Sequence, residues 1–207
     1  MPPLTLADLK QQEKDARRQL ILNAARTLFA EKDFQQVTVR EIARQAGVGV
    51  GTIYNYYQNL DDLFLDIFLS NARELITQID GELDKPHPSL ADFCRIYVSY
   101  LHRHLAFYQM MSHFMLGGEP GTDAIDRLND LMRQLLDRME SIIRRTTGIR
   151  QNTRIYAHTL FAALNGVMIS YARYPGRSDD EIRQHTLRLA AHIAELVSGK
   201  SEFSPDT

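Results

Sequence analysis

A chain of 207 residues, 44% hydrophobic and 24% charged, is long enough to bury a core unaided and lies far from disordered or collagen-like compositions. Its net charge of −2 excludes a protein that coats nucleic acid by phosphate neutralisation alone. A single cysteine, Cys94, excludes an intramolecular disulfide, and Phe93 and Tyr97 beside it predict a core position. The stretch Met1 to Lys14 is polar, and no apolar run approaches the roughly 18 residues of a membrane span. A cytoplasmic chain with no membrane contact is expected.

The elements read as helices from end to end, with no credible strand, so an all-α fold is expected. Ile21, Ala24, Ala25, Leu28 and Phe29 give helix 1 from about Ala16 to Glu31. After a turn over Lys32 to Val37, Thr38 and Glu41 form a T-x-x-E capping box that opens helix 2, whose Val39, Ile42, Ala43 and Ala46 share one face. Gly47 supplies a left-handed C-terminal cap, and the turn Gly47-Val48-Gly49 leads to a short helix 3 from about Val50 to Tyr57. There Ile53 and Tyr57 point inward, while Thr52, Asn55 and Tyr56 point out. Asn59 and Asp62 cap helix 4, which carries an apolar stripe from Leu60 to about Leu83 and ends at a boundary near residues 84–88, Pro86-His87-Pro88.

Ser89 and Asp92 open the next helix, through Phe93, Tyr97, Tyr100 and Leu101; Phe107 to Leu116 is a short apolar helix ended by the loop Gly117 to Gly121. A long helix follows from Ile125 and stops near Gly148. Two more run from about Asn152 to Arg173 and from the Ser178/Glu181 capping box to Ser198, with Lys200 to Thr207 as a disordered tail.

Two short helices joined by a glycine-bearing turn and backed by a third form a helix-turn-helix unit. Such a unit serves equally as a corner in any helical bundle or as a major-groove reader whose side chains meet base edges while hydroxyls and amides grip phosphate. Charge distribution is compatible with the second use: residues 1–60 hold eight Lys/Arg against six acids, +2, leaving −4 for the rest.

Residues 38–63, TVREIARQAGVGVGTIYNYYQNLDDL, resemble the DNA-binding signature of the TetR family of bacterial transcriptional regulators. Thr38, Ile42-Ala43, Ala46-Gly47-Val48, Gly51-Thr52-Ile53-Tyr54 and Tyr57 fall in the family's order without a gap, with a matching first helix at residues 16–34. The resemblance implies an N-terminal three-helix helix-turn-helix domain (1–60), helix 4 as connector (about 60–83), a C-terminal helical ligand-binding and dimerisation domain (61–200), and a tail (201–207). It places Val50, Gly51, Thr52, Asn55 and Tyr56 where recognition-helix residues face bases and flanking phosphates. Tyr54 matches a phosphate-binding tyrosine, although a helical wheel puts it at the edge of the exposed face, and Thr38 matches a phosphate-binding cap. Arg40 and Arg44 add charge-assisted contacts. Two positions depart from the pattern: Gly49 stands where serine or threonine is common, and Leu60 where lysine is common. Contacts at the start of helix 4 then rest on Asn59 and the free amides there.

For the remainder the resemblance implies a homodimer through the last two helices, where Ala162, Ala163, Gly166, Ala172, Ala190, Ala191 and Ala194 permit close approach, and a palindromic double-stranded operator. Phe93, Tyr97, Tyr100, Met111, Phe114, Phe161 and Met168 form an aromatic and methionine-rich set suited to an apolar effector pocket or to plain core. His102, His104, His113 and His158 lack metal-ligand spacing, so neither metal nor cofactor is expected. The expected function is a ligand-responsive regulator, a repressor released from its operator by a small molecule. The alternatives are an all-α carrier or enzyme without DNA binding, and a DNA-binding regulator controlled by a protein partner.

Overall fold

The computed structural model describes residues 5–116 and 122–199, and among them every regular element is helical. In order these are α1 (Leu6–Glu31), α2 (Val39–Ala46), α3 (Val50–Tyr54), α4 (Leu60–Leu83), α5 (Leu90–Arg103), α6 (Leu105–Leu116), α7 (Thr122–Thr146), α8 (Thr153–Tyr171) and α9 (Asp179–Ser198). The expected Gly117–Gly121 loop and the Lys200–Thr207 tail lie outside the described residues. None of the described helices is long and apolar enough to cross a membrane.

The chain divides into two units, one comprising residues through Leu69 together with Ala106–Ile125, the other Ser70–Leu105 together with residues from Asp126 onward. In the first, α1 packs on α2 and α2 on α3. Helix α1 begins ten residues earlier than its apolar period suggests. Its start is fixed by a capping box in which the Asp8 amide donates to Thr5 Oγ1 at 3.2 Å and the Thr5 amide to Asp8 Oδ2 at 2.8 Å. The added turns bury nothing; only Ile21, Leu22, Ala24, Ala25 and Leu28 of this helix are buried. Solvent-side pairs such as Glu13–Arg17 (2.6 Å) carry the exposed part.

The turn after α1 contains a single 3₁₀ turn, Phe34–Gln36, that drives Phe34 into the core. Phe34 meets Phe29 and Phe64 edge-on, at centroid separations of 6.3 and 5.2 Å. The same unit includes most of α6: Phe107 stacks on Phe68 at 4.8 Å, Gln109 Nε2 donates to Asp33 Oδ2 at 3.3 Å, and His113 Nε2 lies 3.3 Å from Asp61 Oδ1. Covered in this way, α4 is buried on every side from Leu63 to Leu69 and reverts to an amphipathic pattern only beyond it.

In the second unit α5 packs against α8 and α9, which also pack on each other. Phe93, Cys94, Tyr97, Tyr100 and Leu101 are fully buried. Buried polar groups find partners: Tyr100 Oη donates to the Asn71 carbonyl at 2.7 Å, Asn165 Nδ2 to Tyr97 Oη at 3.1 Å, and His102 Nε2 sits 2.6 Å from Thr186 Oγ1. Glu82, 1% exposed, accepts from Lys85 and from the Ser89 amide, which fixes the bend between α4 and α5.

Candidate nucleic-acid interface

The helix-turn-helix is built as its sequence dictates. Thr38 caps α2: its Oγ1 accepts the Glu41 amide at 3.3 Å, while its own amide and hydroxyl donate to Glu41 Oε2 at 3.0 and 2.8 Å. Glu41 is further tied to α1 through Lys32 Nζ at 2.7 Å. These bonds hold its carboxyl down to about 2, the Lys32 ammonium contributing most and the Thr38 amide and hydroxyl the rest. At the far end Gly47 adopts φ +66°, the left-handed cap the sequence anticipates, and its amide closes onto the carbonyls of Ala43 and Arg44.

Helix α3 is shorter than expected. Its regular part ends at Tyr54, and the Tyr56 and Tyr57 amides donate to the Ile53 carbonyl at 2.9 and 3.0 Å, so a turn carries the chain on to Tyr57. Gly49 stands at the N-cap with no side-chain bond. A Cβ there would lie 3.8 Å from Thr52 Oγ1, so nothing in the packing requires glycine. Of the residues assigned to bases and phosphates, Val50, Gly51, Tyr54 and Asn55 are exposed, whereas Thr52 and Tyr56 are half-buried. Tyr54 is 54% exposed, and the helical wheel understated it because a one-and-a-half-turn helix leaves its C-terminal side uncovered.

On α2, Arg40 and Arg44 are four residues apart, both exposed, and neither has a hydrogen-bond partner among the described residues. At the start of α4, Asn59 Oδ1 accepts the Asp62 amide at 2.8 Å. The cap therefore spends the oxygen of Asn59 and leaves its NH₂ without a partner among the described residues. Thr38 differs, since both of its donors already serve Glu41, and an approaching phosphate competes with that carboxylate.

Beneath the exposed face lies a group that sequence reasoning passed over. Asp66, 5% exposed on α4, accepts from Tyr57 Oη at 2.8 Å and from Arg18 Nε and Nη2 at 2.8 and 2.5 Å. One carboxylate thus joins α1, the end of the recognition segment and α4. Burial, followed by the adjacent Asp66 charge, raises the Tyr57 phenol well above its usual range, so the hydroxyl remains a donor. The signal was present in the sequence as a lone carboxylate inside Leu63-Phe64-Leu65-Asp66-Ile67-Phe68.

The expected effector set is distributed over both units. Phe93, Tyr97, Tyr100 and Met168 are buried and Phe161 half-buried in the second, with Tyr97 edge-on to Phe161 at 6.4 Å. Met111 and Phe114 are buried in the first. Among the four histidines considered for metal, His104 stacks on Tyr100 at 4.2 Å, His102 and His113 have the partners given above, and His158 is exposed. Among the described residues no three His, Cys, Asp or Glu side chains converge as a metal site.

Among the described residues every element is helical, and a capped helix-turn-helix packs against α1, the arrangement helix-turn-helix DNA-binding proteins use. Residues 21–67 match the family described as bacterial regulatory proteins, tetR family. That match lies within the first unit and does not extend to α5–α9. It is 28% identical over 128 residues to the uncharacterized HTH-type transcriptional regulator YhgD of Bacillus subtilis, covering 61% of this chain and 67% of that one. It is also 32% identical over 71 residues to the fatty acid metabolism regulator protein of the same organism, covering 34% of this chain and 37% of the relative. The chain therefore spans about two thirds of the first relative and little more than a third of the second. Thermus thermophilus FadR, a TetR-family transcriptional repressor solved with lauroyl-CoA, superimposes with a TM-score of 0.60 at 26% identity, over 84% of this chain and 92% of that one. All three of these relatives are described as regulators.

Proposed function

We propose that the protein is a homodimeric repressor that reads a palindromic operator with α3 and leaves it when a small molecule binds the C-terminal unit. The observation that carries the DNA reading is a set of exposed hydrogen-bond donors on a packed frame. Tyr54 on α3 and Asn55 at its C-terminal cap, Arg40 and Arg44 on α2, and the amide of Asn59 just before α4 all present donors to one unit's exterior. Val50, Gly51, half-buried Thr52 and Tyr56, and the open N-cap at Gly49 supply close backbone approach and shape to the groove. Thr38 contributes by capping α2.

The dimer reading rests on α8. Ile155, Thr159, Ala162, Gly166 and Ile169 recur at three- and four-residue intervals and are all exposed, Ile155 and Ile169 by 64% and 68%. Leu196 on α9 is 53% exposed. A stripe of that spacing with small residues at its centre suits close packing on a second copy, which would set two recognition helices about 34 Å apart. The domain plan of residues 1–60 for DNA and 61–200 for ligand and dimerisation follows from the same reading.

For the effector, the aromatic and methionine set around Tyr97, with its hydroxyl paired to Asn165, suits an apolar molecule. The lauroyl-CoA bound to the Thermus relative makes an acyl thioester the first compound to try. Shifting the protein from mostly competent to mostly released needs about 5.5 kcal/mol of differential affinity between the two conformers.

Selection of binding sites from random duplex DNA, with Tyr54→Phe and Asn55→Ala variants alongside, tests the reading. A palindrome enriched by the wild type and bound more weakly by the variants supports it. Adding lauroyl-CoA to the selected complex should release the DNA. If no sequence is enriched at moderate salt, the operator reading fails and the carrier alternative takes its place.

A further inference from the structure

Where α8 turns into α9, the second unit holds a depression of about 430 Å³ lined by Tyr171, Tyr174, Arg177, Glu181, Ile182, Gln184, His185 and Arg188. Its walls are aromatic. The Tyr171 and Tyr174 rings lie 6.0 Å apart and tilted by 31°, and His185 meets Tyr171 edge-on at 4.9 Å. Ile182, 7% exposed, is the apolar element among them. On α9 the positions 181, 184, 185 and 188 follow i, i+3, i+4, i+7 spacing, so they share one helical face. Gly176, at φ +77°, permits the turn that brings Tyr174 and Arg177 beside that face.

The charge here is unbalanced. Arg177 is 3.4 Å from Glu181 with both side chains more than half exposed, a loose pair. Arg188 has neither a hydrogen bond nor an ion pair among the described residues. Two guanidinium groups thus face one carboxylate beside three rings. A guanidinium matches a carboxylate in bidentate fashion, and tyrosine and histidine rings take up a flat apolar body. The volume falls within the range of small-molecule pockets.

We propose that this depression is a binding site for a planar aromatic carboxylate, its ring held by Tyr171, Tyr174 and His185 and its charge by Arg188. The site shares α8 with Phe161 and Met168 of the set assigned to the effector but is lined by neither, and it does not depend on the operator reading.

Calorimetric titration of the full chain with 2-naphthoate tests it, with 2-naphthamide as a neutral counterpart of the same shape. Arg188→Gln and Tyr174→Ala are suitable variants because both side chains are exposed and neither contributes to the core. The expected result is saturable binding of one naphthoate per chain, at least tenfold weaker binding of the amide, and at least a tenfold loss for naphthoate in each variant with an unchanged unfolding midpoint. Equal binding of acid and amide would overturn the proposal, as would undiminished binding by both variants, which would place the ligand elsewhere. Absence of saturable heat would overturn it as well.

Discussion

The Arg18–Tyr57–Asp66 cluster makes the sharpest quantitative claim on the DNA-binding unit. Asp66 is 6% exposed at its side chain and accepts hydrogen bonds from Nε and Nη2 of Arg18, which is 42% exposed, and from the buried Tyr57 hydroxyl. Removing one partner of a fully buried pair costs about 3–5 kcal/mol, whereas an exposed pair is worth about 0–1. Arg18 can turn to water when Asp66 is lost, so Asp66→Ala should cost about 3 kcal/mol, much of it from the stranded Tyr57 hydroxyl and the small void. Tyr57→Phe removes the bond to the Asp66 carboxylate and the longer one accepted from Arg18 Nε at 3.4 Å, and should cost about 1.5 kcal/mol. In the double variant no hydroxyl is left stranded, so the two costs should not add; a coupling of about 1–2 kcal/mol is expected. Urea unfolding of the four proteins, followed by circular dichroism, supplies the cycle. Additivity within about 0.5 kcal/mol would refute the network, because independent sites behave in that way. The variants should also weaken operator binding beyond the fraction unfolded, since Tyr57 closes the segment that carries Tyr54 and Asn55.

Three further outcomes follow from local chemistry. Glu41 ionises near 2 in the folded chain against an ordinary value of 4.5, so the unfolded state binds its proton first as pH falls. Its contribution is intact above about 4.5 and lost on the way down to about 2, and Glu41→Gln should flatten the acid limb of a stability–pH curve in that window; an unchanged limb would contradict the Lys32–Glu41–Thr38 account. Burial pushes the Cys94 thiol up to about 12, so a disulfide reagent at pH 8 should leave the native chain untouched and label it once denaturant is added. Rapid native labelling would mean that α5 is not packed as described. Gly47→Ala should destabilise the chain by about 1 kcal/mol through backbone strain alone, since φ is +66° and a Cβ would meet nothing within 4 Å. A thermal midpoint equal to wild type would show that the turn relaxes.

Much of this protein is legible in one dimension because its punctuation is local. Thr38 with Glu41, Asn59 with Asp62, Ser178 with Glu181 and Gly47 after Ala46 each satisfy helix ends within a few residues, so the helix order and the recognition segment follow from short-range chemistry. Periodicity placed Ile53 and Tyr57 inward for the same reason. The start of α1 escaped because an exposed helix has no apolar period to announce it; its T-x-x-D box was the available sign. Helix α3 was overrun because three tyrosine and asparagine positions continue a helical turn without the regular ladder.

The sequence alone thus determined the helices and the helix-turn-helix segment, since caps and periods act over three or four residues. Only the tertiary structure decided what lies far apart in the chain. It paired Arg18 with Asp66, it set His113 beside Asp61, and it gathered Tyr171, Arg177 and Arg188 around one depression. No local rule reaches across 48 or 52 residues; such partners are chosen by which helix faces must be buried together.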